Sequence, residues 1–245
     1  MKKQKAIFIT GATGFVGSYL TSGLLNHGYR LMLLVRGTKP KERVDSLLCP
    51  LYRCPEEYNK VKEGLEVIKG DITKKNLGVS PEDMSKLNQE VSKVFHCAAS
   101  VSFNETEKDE IEKYNVDGTK NVLEFMRRLN LHELHYMSTA YVVGQKTGAV
   151  YEEEVGEEQS FNNTYEESKF KAEKLIKKYK EEHDIATTIY RPAIIVGNSR
   201  TGKTSSFGGF YSYVKSLYLL VQMFKKDLGR DGKKSKLAGV YYKGD

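Results

Sequence analysis

A short apolar run, residues 6–10, passes directly into Thr10-Gly11-Ala12-Thr13-Gly14-Phe15-Val16-Gly17, and no other stretch limits the fold of this chain so strongly. Three glycines at intervals of three meet three different steric demands. Gly11 permits a tight turn out of a strand, Gly14 lets a pyrophosphate approach the backbone, and Gly17 lets the following helix pack close to the strand it left. That helix, marked by Val16, Leu20 and Leu24, directs its amino-terminal N–H groups at the same point, where they favour phosphate. A glycine triplet alone marks an ordinary turn. Placed after a strand and at the start of an amphipathic segment, it predicts a dinucleotide site built from Gly11, Thr13, Gly14, Phe15, Val16 and Gly17.

The rest of the chain repeats the alternation that this unit begins. Short β-branched or apolar runs at 6–10, 30–35, 65–69, 92–98, 133–138 and 186–196 predict strands, and amphipathic segments at 14–27, 40–48, 81–90, 107–129 and 164–183 predict helices. Strands alternating with helices imply an α/β fold, a Rossmann-type doubly wound parallel sheet. The expected division is a dinucleotide-binding domain over 1–197 and a small, partial substrate-binding or lid region over 198–245. Within that region Phe210–Phe224 reads as one apolar helix, a lid or packing helix rather than a membrane anchor, because Lys215 interrupts it. The acidic stretch 152–158 reads as a solvated loop.

Composition narrows the functional classes. Of 245 residues, 39% are hydrophobic and 29% charged, which excludes wholesale disorder. Lys and Arg number 39 against 32 Asp and Glu, a formal charge of +7. Because the two signs interleave, the excess suits small anionic ligands better than nucleic acid. Cys49, Cys54 and Cys97 are too few for a disulfide framework and lack a zinc spacing, so free thiols in a reducing, cytoplasmic setting are expected. Lys2, Lys3 and Lys5 precede an uncharged run that imitates a signal peptide. Its many Gly, Ser, Thr and Asn residues break any continuous apolar segment, and no integral membrane segment is expected.

Two further positions bear on the nucleotide. A reader of NAD usually ends its second strand on an acid for the ribose 2′-hydroxyl, whereas this chain ends on Leu33-Leu34-Val35-Arg36. Arg36, with Arg43 as a second contact, suits a 2′-phosphate and hence NADP(H); the plainer reading of Arg36 is a surface arginine beside a loop. Gly197-Asn198-Ser199-Arg200-Thr201-Gly202-Lys203-Thr204 also satisfies the P-loop pattern. Only 41 residues follow Thr204, and they offer no strand ending in a magnesium-binding Asp, so the match is read as accidental.

Tyr165 and Lys169 lie four residues apart and share a helical face. A phenol titrates near pH ~10 alone, and a neighbouring ammonium favours its phenolate, bringing it towards useful acid–base chemistry. A core tyrosine beside a snorkelling lysine has the same spacing, which therefore does not decide. The combination is more specific. The glycine motif, Gly70-Asp71-Ile72-Thr73, His96-Cys97-Ala98-Ala99, Asn115-Val116-Asp117-Gly118-Thr119, Ser138-Thr139 and Tyr165-x-x-Ser168-Lys169 together resemble an extended short-chain dehydrogenase/reductase over about 190 residues. Leu34-Val35-Arg36, Met137-Ser138-Thr139-Ala140 and the run from Arg191-Pro192-Ala193 to Gly202 look like the thioester reductase and fatty acyl-CoA reductase (male-sterility) branch.

That resemblance implies roles. Thr139 would hydrogen-bond the substrate oxygen, with Ser138 as runner-up; Tyr165 would donate the proton, and Lys169 would hold the nicotinamide ribose. Asn115 would order the active-site helix or a water. Asp71 and Ile72 would contact adenine, Ala98 and Ala99 would line the cofactor, and Pro192, Ala193 and Ile195 would border the nicotinamide. His96 and Cys97 are read as packing residues, and hydride transfer requires no metal. The implied activity is NADPH-dependent reduction of an acyl thioester, carried by CoA or a carrier protein, to aldehyde or alcohol. A carbonyl reductase, a nucleotide-sugar epimerase or dehydratase, and a non-catalytic NADP-binding module share most of these motifs. The basic residues Lys225, Lys226, Arg230, Lys233, Lys234 and Lys236 suit CoA phosphates or an acidic carrier protein, or form a solvated tail. Replacing Arg36 by Ala is expected to weaken NADPH binding far more than NADH binding, measured by titration with each; equal losses would remove the 2′-phosphate argument.

Overall fold

In the computed structural model, residues 4–152, 159–202, 204, 207 and 209–230 are described. The chain divides into two compact units, Met1–Ala193 and Ile194–Asp245. The first opens with β1 (Ala6–Thr10), α1 (Phe15–Asn26), β2 (Leu31–Val35), α2 (Pro40–Leu48), α3 (Pro55–Val61) and β3 (Leu65–Lys69). It continues with α4 (Pro81–Glu90), β4 (Val91–His96), α5 (Lys108–Glu112), α6 (Gly118–Arg128), β5 (Glu133–Met137), α7 (Thr164–His183) and β6 (Ala186–Tyr190). The strands form one parallel sheet in the order β3-β2-β1-β4-β5-β6. This is the doubly wound arrangement expected from the sequence, and the order reverses between β1 and β4, where a crevice opens beyond the strand ends.

Every residue of β1 and β2 is buried, as a parallel sheet covered on both faces requires. Alternation along β1 sends successive side chains into different cores. Phe8 joins Met32, Ile68, Val94, Phe125 from α6 and Ile176 from α7 on one face. Ile7 and Ile9 join Leu31, Leu33, Leu25 from α1 and Val44 and Leu48 from α2 on the other. Each large apolar side chain so buried contributes roughly 1.5–3 kcal/mol, and the two cores fix the strand ends that carry the site.

Several expected boundaries move. The last strand ends at Tyr190 rather than running to 196, because Pro192 has no N–H to continue a ladder. Ser138 N instead donates to Tyr190 O (2.7 Å) and Ala140 N to Pro192 O (2.9 Å). The second unit accordingly begins at Ile194, inside the run assigned to that strand. The expected helix over 107–129 is two helices joined by a π-helical turn at Lys113–Asp117. Short α3 was not expected; Pro55 at its first position and Glu56 and Glu57 in its first turn favour it. In the second unit α8 (Phe210–Arg230) runs beyond the expected Phe224. Most of the acidic stretch (153–158), Lys203, and Lys233, Lys234 and Lys236 lie outside the described residues.

The glycine spacing has a measurable steric basis. A Cβ on Gly17 would fall 2.1 Å from Gly11 O, whereas one on Gly23, in the same helix, meets nothing within 4 Å. Gly17→Ala is therefore expected to cost about 1–3 kcal/mol. Gly23→Ala is expected to add up to about 1 kcal/mol through helix propensity. Denaturant unfolding of both variants checks the contrast, and equal effects would contradict it.

Candidate active site

The cleft at the β1–β4 switch point begins with a turn that only glycine satisfies. Gly11 has φ +76°, and a Cβ there would sit 2.4 Å from Ala98 N. Gly14 N donates to Gly11 O (2.9 Å), closing the turn before α1. The cleft is lined by Thr10, Gly11, Thr13 and Gly14 from this turn and by Arg36 and Arg43 beyond β2. Gly70, Asp71 and Ile72 follow β3, Cys97, Ala98 and Ala99 follow β4, and Tyr114 faces them. Of the predicted cofactor residues, Gly11, Thr13, Gly14, Arg36, Arg43, Asp71, Ile72, Ala98 and Ala99 thus meet in one concavity. Phe15 and Val16 begin α1 beside it, and Gly17 packs beneath the turn. The bare backbone at Gly11 and Gly14, facing a helix N-terminus, fits a diphosphate, and the two arginines fit a further phosphate.

Tyr114 was not singled out in the sequence. The Arg36 guanidinium lies 5.1 Å from the centre of its ring and donates to its hydroxyl, so Arg36 is held at the rim rather than free in solvent. Asp71 accepts from Thr73 N and Oγ1 (both 2.9 Å), which fixes its carboxylate at the cleft edge.

The predicted catalytic residues assemble at the ends of β5 and α7. Asn163 caps α7, its Oδ1 accepting from Glu166 N (3.0 Å), which places Tyr165 in the first turn and Lys169 one turn later. Thr139 is buried just past β5, its Oγ1 accepting from Tyr141 N (3.2 Å), and its hydroxyl offsets part of the effect of burial on the Tyr165 phenol. Ser138, the runner-up, is buried, and its hydroxyl has no hydrogen-bond partner among the described residues. Asn115 sits in the π-helical turn, a local widening frequent at functional sites. Its side-chain amide donates to Ser168 Oγ (2.8 Å) and Ser100 O (3.0 Å), while Oδ1 accepts from Ser100 N (2.7 Å). It thus orders α7 from behind. Pro192 is tied to Ala140 beside Thr139, Ala193 follows it, and Ile195 belongs to the second unit.

Lys169 is 1% exposed; its Nζ donates to Met137 O (2.7 Å) and lies 4.2 Å from the Tyr136 ring centre. Burial lowers its pKa to about 7, while Glu173, one turn further along α7, favours the ammonium. Glu173 is itself buried and clamped by Arg191 through two hydrogen bonds of 3.0 and 2.7 Å. Tyr165 differs from expectation: burial raises its pKa, and the opposing influence is the Thr139 hydroxyl rather than the ammonium. Burial likewise holds His96 neutral, at about 3, between Thr10 Oγ1 (2.6 Å) and Thr119 Oγ1 (3.1 Å). It pushes the Cys97 thiol up to about 12, away from a reactive thiolate. Among the described residues of the P-loop-like run, Arg200 N and Thr201 N donate to Asn198 Oδ1, and the next described helix starts at Phe210 rather than at Thr204.

Glu173 was legible in principle as the fourth residue after Lys169. Glu105, whose carboxylate accepts from Thr164 N and Oγ1 far along the chain, carried no local signal.

Comparison with known proteins agrees with this geometry. A family model described as Male sterility protein matches residues 9–234. Fatty acyl-CoA reductase 1 of Gallus gallus is 36% identical over 146 residues, covering 56% of this chain and 28% of that protein. Fatty acyl-CoA reductase wat of Drosophila melanogaster is 28% identical over 242 residues, covering 85% of this chain and 46% of that protein. The chain therefore spans less than half the length of these curated relatives. The solved terminal R domain from the myxalamid PKS-NRPS biosynthetic pathway is 27% identical with a TM-score of 0.77, covering 91% of this chain and 57% of that one. Fold and site define an NAD(P)(H)-binding domain of the extended short-chain dehydrogenase/reductase type. Within that class, the chain belongs to the Male sterility protein family. Among the described residues, no helix is long and apolar enough to cross a membrane.

The buried lysine gives a pH signature. Its pKa is lowered on folding from 10.5, so above about pH 7 the unfolded chain binds the extra proton and stability rises with pH. Cys97 and the raised tyrosines act in the opposite sense only nearer their own unfolded values of 9.0 and 10.0. Between pH 7 and about 8.5, the stability of the coenzyme-free parent relative to Lys169→Met is expected to rise, as read from urea unfolding. A flat difference would contradict the burial account.

Proposed function

We propose that this chain carries the coenzyme-binding and catalytic part of an NADPH-dependent reductase of acyl thioesters. The observation that carries the reading is the grouping of Thr139, Tyr165 and Lys169 at the end of β5, in the unit whose β1–β4 crevice suits a dinucleotide. Relatives named as fatty acyl-CoA reductases support the substrate class.

The nicotinamide, when bound, supplies a hydride to the thioester carbonyl carbon. Thr139 and Tyr165 hydrogen-bond the carbonyl oxygen, where negative charge grows, and stabilise it as preorganised donors. A phenol whose pKa is raised keeps its proton at neutral pH and can deliver it to that oxygen. Lys169, on the same face of α7, holds the nicotinamide ribose. The resulting hemithioacetal breaks its carbon–sulfur bond to give aldehyde and free thiol, and a second round gives the alcohol. Arg36 and Arg43 favour NADPH over NADH through the 2′-phosphate. An acyl carrier protein is the natural macromolecular donor of such a thioester. Cytoplasmic residence is part of this reading, supported by three unpaired cysteines.

Mixing the protein with an acyl-CoA and NADPH is expected to deplete the near-ultraviolet absorbance of the reduced coenzyme. Tyr165→Phe is expected to lower kcat roughly 10²–10⁴-fold while leaving coenzyme binding within a few fold. Turnover of a ketone or a sugar nucleotide, with acyl-CoA inert, would overturn the thioester assignment.

A further inference from the structure

The segment that follows β4 leaves the sheet beside the cleft and is fastened at two points. At its start, Ser100 exchanges two hydrogen bonds with the Asn115 side chain (2.7 and 3.0 Å). At its end, Glu105 accepts from Thr164 N (3.1 Å) and Thr164 Oγ1 (2.7 Å), immediately before Tyr165 in α7. Those two hydrogen bonds hold the Glu105 carboxyl below its usual range. Asn104 adds a local cap, its Oδ1 accepting from Thr106 N (3.1 Å). Both fastenings thus reach residues that order or adjoin the phenol.

Between them the segment displays apolar surface. Val101 is 70% exposed and Phe103 57%. The Phe103 ring meets the Tyr165 ring edge-on, centres 5.5 Å apart at 86°. Isolated exposed apolar side chains are ordinary on a protein surface. Here two of them lie on one doubly pinned segment, and one touches the candidate proton donor.

We propose that Val101 and Phe103 form a wall that receives the alkyl chain of the acyl thioester beside its carbonyl carbon, making them specificity-determining residues for long over short acyl groups. The inference rests on the thioester reading and adds the substrate subsite to it. The pinned backbone matters because a wall ordered in advance loses little further entropy when the chain settles on it. Methylene groups laid on Phe103 leave water, and each one buried strengthens binding. Ser100 and Glu105 contribute by holding the wall, not by touching the substrate.

The test compares kcat/KM for a saturated acyl-CoA series, butanoyl to hexadecanoyl, in the parent, Phe103→Ser, Val101→Ser and Phe103→Leu. The parent is expected to favour the long chains. Phe103→Ser is expected to reduce the hexadecanoyl-to-butanoyl ratio by about tenfold, and Val101→Ser by less. Phe103→Leu, which keeps apolar area, should retain most of the preference. NADPH binding by fluorescence reports whether each variant is folded, and Val101→Ser carries the test if Phe103→Ser is not. An unchanged ratio in folded variants would overturn the wall while leaving thioester reduction standing. An equal loss for every chain length would also overturn it, leaving Phe103 as packing for Tyr165. A parent that reduces no acyl-CoA of any length would remove the thioester reading and the wall with it.

Discussion

A lysine ammonium taken out of water organises this molecule. Removing such a charge from solvent costs several kcal/mol even after local relaxation, and Lys169 is 1% exposed. Its compensation comes from three directions: the Met137 carbonyl, the face of the Tyr136 ring, and the charge of Glu173. Glu173 would be an equally costly buried carboxylate without Arg191, which grips both its oxygens. The chain of compensation therefore runs from β5 through α7 to the residue that precedes Pro192. The sheet and its last helix cannot shift against one another without exposing or orphaning one of these charges.

The same coupling separates two tasks in space. On the proposed reading the coenzyme diphosphate meets the backbone of the β1 turn, where Gly11 packs against Ala98 and Gly17 against Gly11 at distances that a Cβ would not permit. On the same proposed reading, proton chemistry falls to side chains at the end of β5 and the start of α7. Asn115 links the two regions, since its π-helical turn lets one amide bond both Ser100, beyond β4, and Ser168, beside Lys169. The raised phenol and the lowered ammonium share one cause, burial, and it pushes both towards their neutral forms.

Much of this was visible in the residues. β1 and β2 read clearly because buried parallel strands are continuous apolar runs, and the glycine spacing names its own steric purpose. Tyr165 and Lys169 shared a face by spacing alone. What escaped has physical reasons. The π-helical turn at Lys113–Asp117 barely disturbs helical periodicity, so the sequence shows one helix where the structure has two. The apolar run after Tyr190 resembles strand, and only the missing N–H of Pro192 tells against it. The ammonium's influence on Tyr165 was overestimated because spacing says nothing about desolvation. Partners such as Glu105 with Thr164, Glu173 with Arg191 and Arg36 with Tyr114 join segments far apart in sequence, and local pattern does not report them.

The central claim is that a reduced dinucleotide stretches from the Gly11 turn to the hydroxyl, phenol and ammonium at the end of β5. A crystal structure of the protein soaked with NADPH tests it most directly. The account predicts the diphosphate over Gly11 and Gly14, adenine against Asp71 and Ile72, and the nicotinamide beside Tyr165 and Lys169. Coenzyme bound elsewhere, or a nicotinamide directed away from those side chains, would contradict it.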